Sequence, residues 1–212
     1  KLYNRPLIED ACLVQGGSLD KRPLGSFGVA SVVSFGAGKP ISIGQGGAIL
    51  TDDLSFYNEL NKLNKKLPAF SEQAKYFIER LSKYHTTLYN QHYGKDLKNY
   101  ISSFKQEVTK TREYFFHRFD NSYLTYLRSA LNNLSKEIEI RWKNWNFLYN
   151  EIKKSLGELV YVFEYSPGSV PWRMNLLIKN RDTALRLLHQ NGCHASSWHP
   201  QVSEFFDENA NL

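Results

Sequence analysis

The sequence predicts an α/β fold, followed by a long helix and a small α+β domain, on three observations. A β-branched run from Val29 to Phe35 lies between two shorter apolar segments, Leu7 to Glu9 and Gly47 to Thr51. The loop between the last two holds Gly36, Gly38, Gly44, Gly46 and Gly47. From Asp52 to Gly157 apolar residues recur mainly at helical spacing. With 212 residues, 42% hydrophobic and 14% aromatic, the chain can build a packed core, which argues against disorder.

Leu7 to Glu9 is a short apolar segment ending in acidic residues. Val29 to Phe35 reads Val-Ala-Ser-Val-Val-Ser-Phe and suits a buried strand, and Gly47 to Thr51 is a third strand candidate. The glycines between them imply unusual backbone angles or close approach to a ligand. Asp52 or Asp53 can cap a helix through Leu54, Tyr57, Leu60 and Leu63 that stops before Pro68. Ser71 to Tyr93 keeps a helical rhythm, and a shorter helix is expected over Thr109 to Phe119. Ser122 to Ser155 reads as one long helix with Leu124, Leu127, Leu131, Leu134, Ile138, Trp142, Trp145 and Leu148 on a stripe, ended by Gly157. Leu159 to Tyr165 and Trp172 to Ile178 read as strands around a Ser166-Pro167-Gly168 turn. Arg181 to Gln190 reads as a helix closed by Gly192, and Cys193 to Trp198 as a further strand. The division expected is residues 1–121, 122–157 and 158–212.

The net charge is +6 and the pI about 9.2. Basic chains attract phosphates, but the lysines of Lys62 to Lys110 and Lys136 to Lys154 are spread at helical spacing among glutamates. They read as solvated helix faces, and no nucleic-acid partner is expected. A positive surface also suits a small phosphorylated or nucleotide-linked substrate. No apolar run is long enough to span a bilayer, and Lys1 to Pro6 holds no apolar stretch of signal-peptide length. Cys12 and Cys193 make no disulfide framework, which favours a reducing cytoplasm. Cys193, His194 and His199 match no usual zinc spacing, so no metal is expected. His85, His92, His117 and His189 lie in helical sequence and read as structural.

Lys39 is the residue with the most specific setting. It stands five positions after Ser34 in the glycine-rich turn, with a carboxylate candidate at Asp10. Pyridoxal phosphate needs an amine for its aldehyde, an anion for its ring nitrogen and donors for its phosphate. Lys39, Asp10, and Ser34 with the glycine-loop amides offer these three. A lysine released from the aldehyde can also carry a proton between two carbons. Taken singly, Lys39 reads as a surface lysine and Asp10 as a turn former; the combination shifts both. Glu9, beside Asp10, points to the other side of a strand and reads as structural. Gly36-Ala37-Gly38-Lys39 is not a P-loop, because Val33 and Pro40 stand where that motif needs Gly and Ser or Thr.

These residues resemble the DegT/DnrJ/StrS group of pyridoxal-phosphate sugar aminotransferases. The likeness runs without gaps from Ile8 to Asp53: an acid-Asp-Ala start, a Gly25-Ser26-Phe27-Gly28 turn, a Ser34-Phe35 to Lys39 core and a Gly46-Gly47 to Thr51-Asp52 close. It implies a fold-type-I large domain. It implies that Lys39 forms the Schiff base with pyridoxal 5'-phosphate, that Asp10 pairs with the pyridine nitrogen and that Ser34 binds the phosphate. Asp120-Asn121-Ser122-Tyr123 is a looser match, through which Asn121 would reach the cofactor phosphate of a partner subunit in a homodimer. The implied reaction moves an amino group from an amino-acid donor, glutamate, to a nucleotide-linked keto sugar, a step of polysaccharide biosynthesis. Val170 to Met174 resembles the small C-terminal domain, while His199, Arg173 and the helical stretch Lys62 to Phe116 receive no role.

Leu13 stands where the family has Gln or His three positions after the Asp, with Gln15 two positions further on, and Tyr123 replaces an expected Arg. These departures leave two alternatives: a catalytically degenerate scaffold of the same fold, or a dehydratase using the same cofactor, which is expected to lack the lysine. Family members carry much of the large domain ahead of the Asp-bearing strand. The chain is therefore expected to be a fragment, incomplete at its C-terminal end as well, and to bind the cofactor poorly alone.

Overall fold

The computed structural model describes residues 5–92, 97–193 and 195. In chain order its elements are β1 (Ile8–Asp10), β2 (Ser18–Leu19), β3 (Arg22–Pro23), β4 (Ala30–Ser34), β5 (Gly47–Leu50), α1 (Leu54–Lys66), α2 (Glu72–His92), α3 (Leu97–Thr111), α4 (Leu124–Asn132), α5 (Leu134–Leu156), β6 (Val160–Val162), β7 (Leu176–Ile178) and α6 (Arg181–Gln190). The described residues divide into two compact units. One lies within Lys1–Lys66 and Phe119–Lys179, the other within Leu67–Arg118 and Asn180–Leu212.

In the first unit the three expected strands form one sheet in the order β1-β4-β5, with β1 parallel and β5 antiparallel to β4. The β-branched run takes the centre, where Ser31 is fully buried. The outer strands remain open, Ile8 being 58% and Leu50 52% exposed. The hairpin β2–β3 carries no sequence signal, because its turn uses Asp20 and Lys21 at φ 49° and 65° in place of glycine. Asp53 caps α1 by accepting the Phe56 N–H at 3.0 Å.

The single helix expected over 122–155 is two, α4 and α5, meeting at Asn133. Asn133 lies at φ −96° and ψ 1°, and both its N–H and its Nδ2 donate to the Ser129 carbonyl, at 3.1 and 2.8 Å. The side-chain bond competes with the helical ladder and bends it.

β6 and β7 form an antiparallel pair. Val160 and Val162 turn inward against Trp145 of α5, with Trp142, Tyr149, Ile152, Tyr165 and Met174 around them. Both strands are shorter than expected. A 3-10 turn, Gly157–Leu159, precedes β6. Before β7, the N–H groups of Trp172 and Arg173 donate to the Tyr165 hydroxyl instead of a neighbouring strand. The Ser166-Pro167-Gly168 turn is present: the Ser169 N–H donates to the Ser166 carbonyl at 3.1 Å, with Gly168 at φ 81°. A Cβ at Gly168 would strike the Ser18 carbonyl oxygen, so this turn requires glycine.

In the second unit Ser71 caps α2, accepting the Ala74 N–H at 3.1 Å. The helix expected at 109–119 is instead α3, which ends at Thr111 and gives way to a 3-10 turn, Arg112–Phe115. Leu97, Tyr100, Ile101, Phe104 and Val108 carry the periodicity of α3, unmarked by a Pro or Gly stop. Ala74, Leu81, Leu88 and Ile101 are buried where α2 and α3 pack. Glu107 accepts from Arg80 at 3.2 Å, and the Thr111 hydroxyl donates to the Glu107 carbonyl at 2.9 Å. α6 closes as expected at Gly192, φ 73°, with the Cys193 N–H donating to Leu188 at 2.8 Å. Cys193 and Ala195 are not in a strand; the rest of the strand expected to Trp198 lies outside the described residues, as do His194 and His199. Among the described residues no helix is long and apolar enough to cross a membrane. Among the same residues, no group of three His, Cys, Asp or Glu is placed to hold a metal.

Candidate active site

β1 and β4 are parallel, with Asp10 opposite Val32, so the chain leaves both strands at the same edge of the sheet. That edge is where α/β sheets place ligands. Asp10 ends β1, Ser34 ends β4, and Lys39 follows Ser34.

Strand alternation sends Glu9 and Asp10 to opposite faces. The Glu9 carboxylate accepts from the N–H groups of Gly25 at 2.9 Å, Phe27 at 2.5 Å and Gly28 at 2.7 Å. Glu9 is thus the structural residue expected, holding the Gly-Ser-Phe-Gly turn. Burial works to raise its pKa, but the donors at Gly28, Gly25 and Phe27 and the Arg22 charge outweigh it and leave it lowered.

Asp10 Oδ1 accepts the Cys12 N–H at 3.1 Å. Its carboxyl is held below the ordinary range first by the Cys12 thiol, then by the Cys12 N–H, against burial and with the help of the Lys39 charge. The Cys12 thiol is pushed up by burial and by Asp10. Asp10 and Lys39 are therefore within electrostatic reach of each other.

Lys39 is half-buried, its ammonium 5.4 Å from the centroid of the Trp172 ring. The Trp172 indole N–H donates to the Gly38 carbonyl at 2.8 Å, and the Lys39 N–H donates to Gly36 at 3.3 Å. The glycine loop folds back along the end of β4: Phe35 donates to Gly46 and Ile43 donates to Phe35, both at 2.9 Å. The Ser34 Oγ accepts the Gly36 N–H at 3.3 Å, which leaves its own O–H to donate elsewhere. The Ser34 carbonyl accepts from Gln15 Nε2 at 2.9 Å. Asn121 is exposed on a 3-10 turn capped by Asp120, and no described contact joins it to Lys39, Asp10 or Ser34. Cys12, Gln15 and Trp172 were not singled out from sequence as site residues. Only their closeness to Asp10, Ser34 and Lys39 in the fold reveals them.

Two tests follow from this geometry. Gln15 is buried and its Oε1 has no partner. Gln15→Ala leaves the Ser34 carbonyl unpaired and is expected to cost about 1–3 kcal/mol in urea unfolding; an unchanged midpoint refutes the tie. Glu9 and Asp10 have ordinary values of 4.5 and 3.8, and both are lower in the fold. Their stabilisation is complete above those values and is lost as the pH falls through the folded ones. Stability is expected to drop on acidification below 4.5, and Glu9→Gln to remove part of that slope; equal slopes in the two proteins contradict it.

The model of the DegT/DnrJ/EryC1/StrS aminotransferase family matches residues 1–209. Over 51 residues the chain is 44% identical to an L-glutamine:scyllo-inosose aminotransferase of Streptomyces griseus, a stretch covering 24% of this chain and 12% of that protein. A solved DegT DnrJ EryC1 StrS aminotransferase from Brucella abortus matches at TM-score 0.57 and 21% identity, over 88% of this chain and 40% of its own. An E. coli GDP-4-keto-6-deoxy-D-mannose-3-dehydratase with bound hydrated PLP matches at TM-score 0.57 and 18% identity, over 90% of this chain and 45% of its own. The two structures show a shared fold, the fold-type-I architecture expected. The chain spans less than half the length of each of these relatives.

Proposed function

Because the chain belongs to the DegT/DnrJ/EryC1/StrS aminotransferase family, we propose that it carries the lysine-bearing part of a pyridoxal-phosphate-dependent aminotransferase. In this reading it moves an amino group from an amino-acid donor, glutamate, to a nucleotide-linked keto sugar, as a cytoplasmic homodimer in which Asn121 serves the partner's cofactor. The observation that carries it is that Asp10 and Ser34 end parallel strands at one edge of an α/β sheet, with Lys39 following Ser34 in the glycine loop.

The residues present suit the cofactor. Asp10, kept anionic by Cys12 and Lys39, can accept the N–H of a pyridinium. The Ser34 hydroxyl, its oxygen already accepting from Gly36, has a proton to donate to a phosphate oxygen. When bound, pyridoxal phosphate supplies the electron sink for transferring an amino group. Lys39 would hold it, and its freed amine would then serve as the base and acid that moves the proton. Trp172 walls this amine on one side and is pinned by Gly38.

The same fold also serves a dehydratase; the presence of Lys39 favours amino transfer here. Mixing the full chain with pyridoxal phosphate, reducing with borohydride and mapping the peptides tests the reading. Label on the Lys39 peptide is expected. Label spread over surface lysines, with none at Lys39, overturns it.

A further inference from the structure

We propose that Trp172 is the positioning residue of Lys39, an inference that rests on the aminotransferase reading. One indole makes two contacts with the lysine segment. Its N–H donates to the Gly38 carbonyl at 2.8 Å, and its ring centroid lies 5.4 Å from the Lys39 ammonium. The first contact holds the main chain just ahead of the lysine. The second holds the head of the side chain, because an indole face attracts a cation.

The loop needs such a tie on one side only. After the lysine the chain is anchored, Pro40 and Ile41 both being buried. Ahead of it Ala37 and Gly38 are exposed, and Gly38 lies at φ 77°. A glycine has more backbone freedom to lose than any other residue. The local bond there, from the Lys39 N–H to the Gly36 carbonyl, is long at 3.3 Å. The shorter bond comes from Trp172, 134 positions away in sequence.

Trp172 can act as an anchor because it is itself held. The Tyr165 hydroxyl accepts its main-chain N–H at 3.1 Å. Arg141, fixed by Glu137 at 2.7 Å, donates to its carbonyl at 3.5 Å. The Arg173 guanidinium carbon packs 4.1 Å from the ring centroid. A lysine carries four carbons of free rotation, and ordering them costs rotamer entropy. Holding the main chain at one end and the ammonium at the other removes part of that cost before any aldehyde arrives.

Two variants separate the contacts: Trp172→Phe keeps a ring and loses the N–H, and Trp172→Ala loses both. The full chain is mixed with pyridoxal phosphate and quenched with borohydride at intervals. Labelling of the Lys39 peptide is compared with that of the exposed Lys136. It is expected to slow about tenfold in Trp172→Ala, the scale of a lysine's rotamer entropy, and by less in Trp172→Phe, with Lys136 unchanged in both. A second readout needs no cofactor. The lysines are methylated reductively with carbon-13 formaldehyde, and the Lys39 signal is assigned by its absence in Lys39→Ala. The ring current of Trp172 is expected to set that signal apart from those of surface lysines. Part of the displacement should survive in Trp172→Phe and none in Trp172→Ala. A tryptophan that only supports the fold would lower the melting temperature and move neither readout. The proposal is overturned if Lys39 labels as fast in Trp172→Ala as in the natural chain, or if its methyl signal stays put. Labelling at Lys39 with a signal among the surface lysines sinks only this inference. A displaced signal in a chain that never labels at Lys39 sinks only the functional reading.

Discussion

On the function proposed above, Lys39→Ala is expected to lose bound pyridoxal phosphate and turnover together. One amine is asked both to hold the cofactor and to move the proton. Losing positioned acid–base help alone costs roughly 10²- to 10⁴-fold in rate, and losing the attachment adds to that. The visible absorbance of the loaded chain should vanish with the rate. A scaffold of the same fold would lose neither, so a variant that keeps its colour removes the enzyme reading. The change has a second, independent readout. The Lys39 charge is one of the causes lowering the Asp10 carboxyl. In Lys39→Ala that carboxyl should titrate higher by NMR, and an unmoved Asp10 would deny that the two groups feel each other.

Trp145→Ala is expected to give the largest loss of stability among core changes, about 3–5 kcal/mol. Trp145 is only 9% exposed and closes the cluster with Val160 and Val162. Its ring stacks on Tyr149 at 4.8 Å and meets Trp142 and Tyr165 edge-on at 5.8 and 6.0 Å. Yet its indole N–H is buried with no partner. Trp145→Phe removes that orphan, worth about 1–3 kcal/mol, while keeping an aromatic ring. It should therefore cost under about 1.5 kcal/mol. Chemical denaturation of both variants decides this. Equal losses would mean that the N–H has found water or a carbonyl. Because Tyr165 belongs to the same cluster and holds the backbone of Trp172 and Arg173, Trp145→Ala should also loosen the wall beside Lys39.

What could be read ahead of the fold follows from where the signals are local. β4 was legible because a β-branched run favours a strand, but the expected burial holds only for Ala30 and Ser31 within it, Val32 being 37% exposed. α1 and α6 were legible because Asp53 caps one and Gly192 closes the other. The hairpin at Asp20 and Lys21 was not, since a left-handed pair without glycine has no sequence mark. The break at Asn133 was hidden inside an unbroken apolar stripe, and only the side-chain bond to Ser129 betrays it. In the site, Lys39, Asp10 and Ser34 stood out by their spacing and by a family pattern. Cys12, Gln15 and Trp172 did not, because their closeness is made by the fold: Trp172 is bonded to Gly38 across most of the chain.

The adjacent carboxylates of β1 divide two tasks between neighbours. Glu9 is long enough to reach three amides of a turn, and Asp10 is short enough to stay at the strand edge, where the Lys39 charge acts on it. Both assignments depend on the pairing of Ile8 with Ala30. A frame shift of this strand by one position would exchange their faces. The shorter acid would then fall short of the turn while the longer one crowded the Lys39 amine. Exchanging the two acids, Glu9→Asp together with Asp10→Glu, has the same effect without moving the strand, and should therefore damage acid tolerance and, on the function proposed above, cofactor retention in a single stroke.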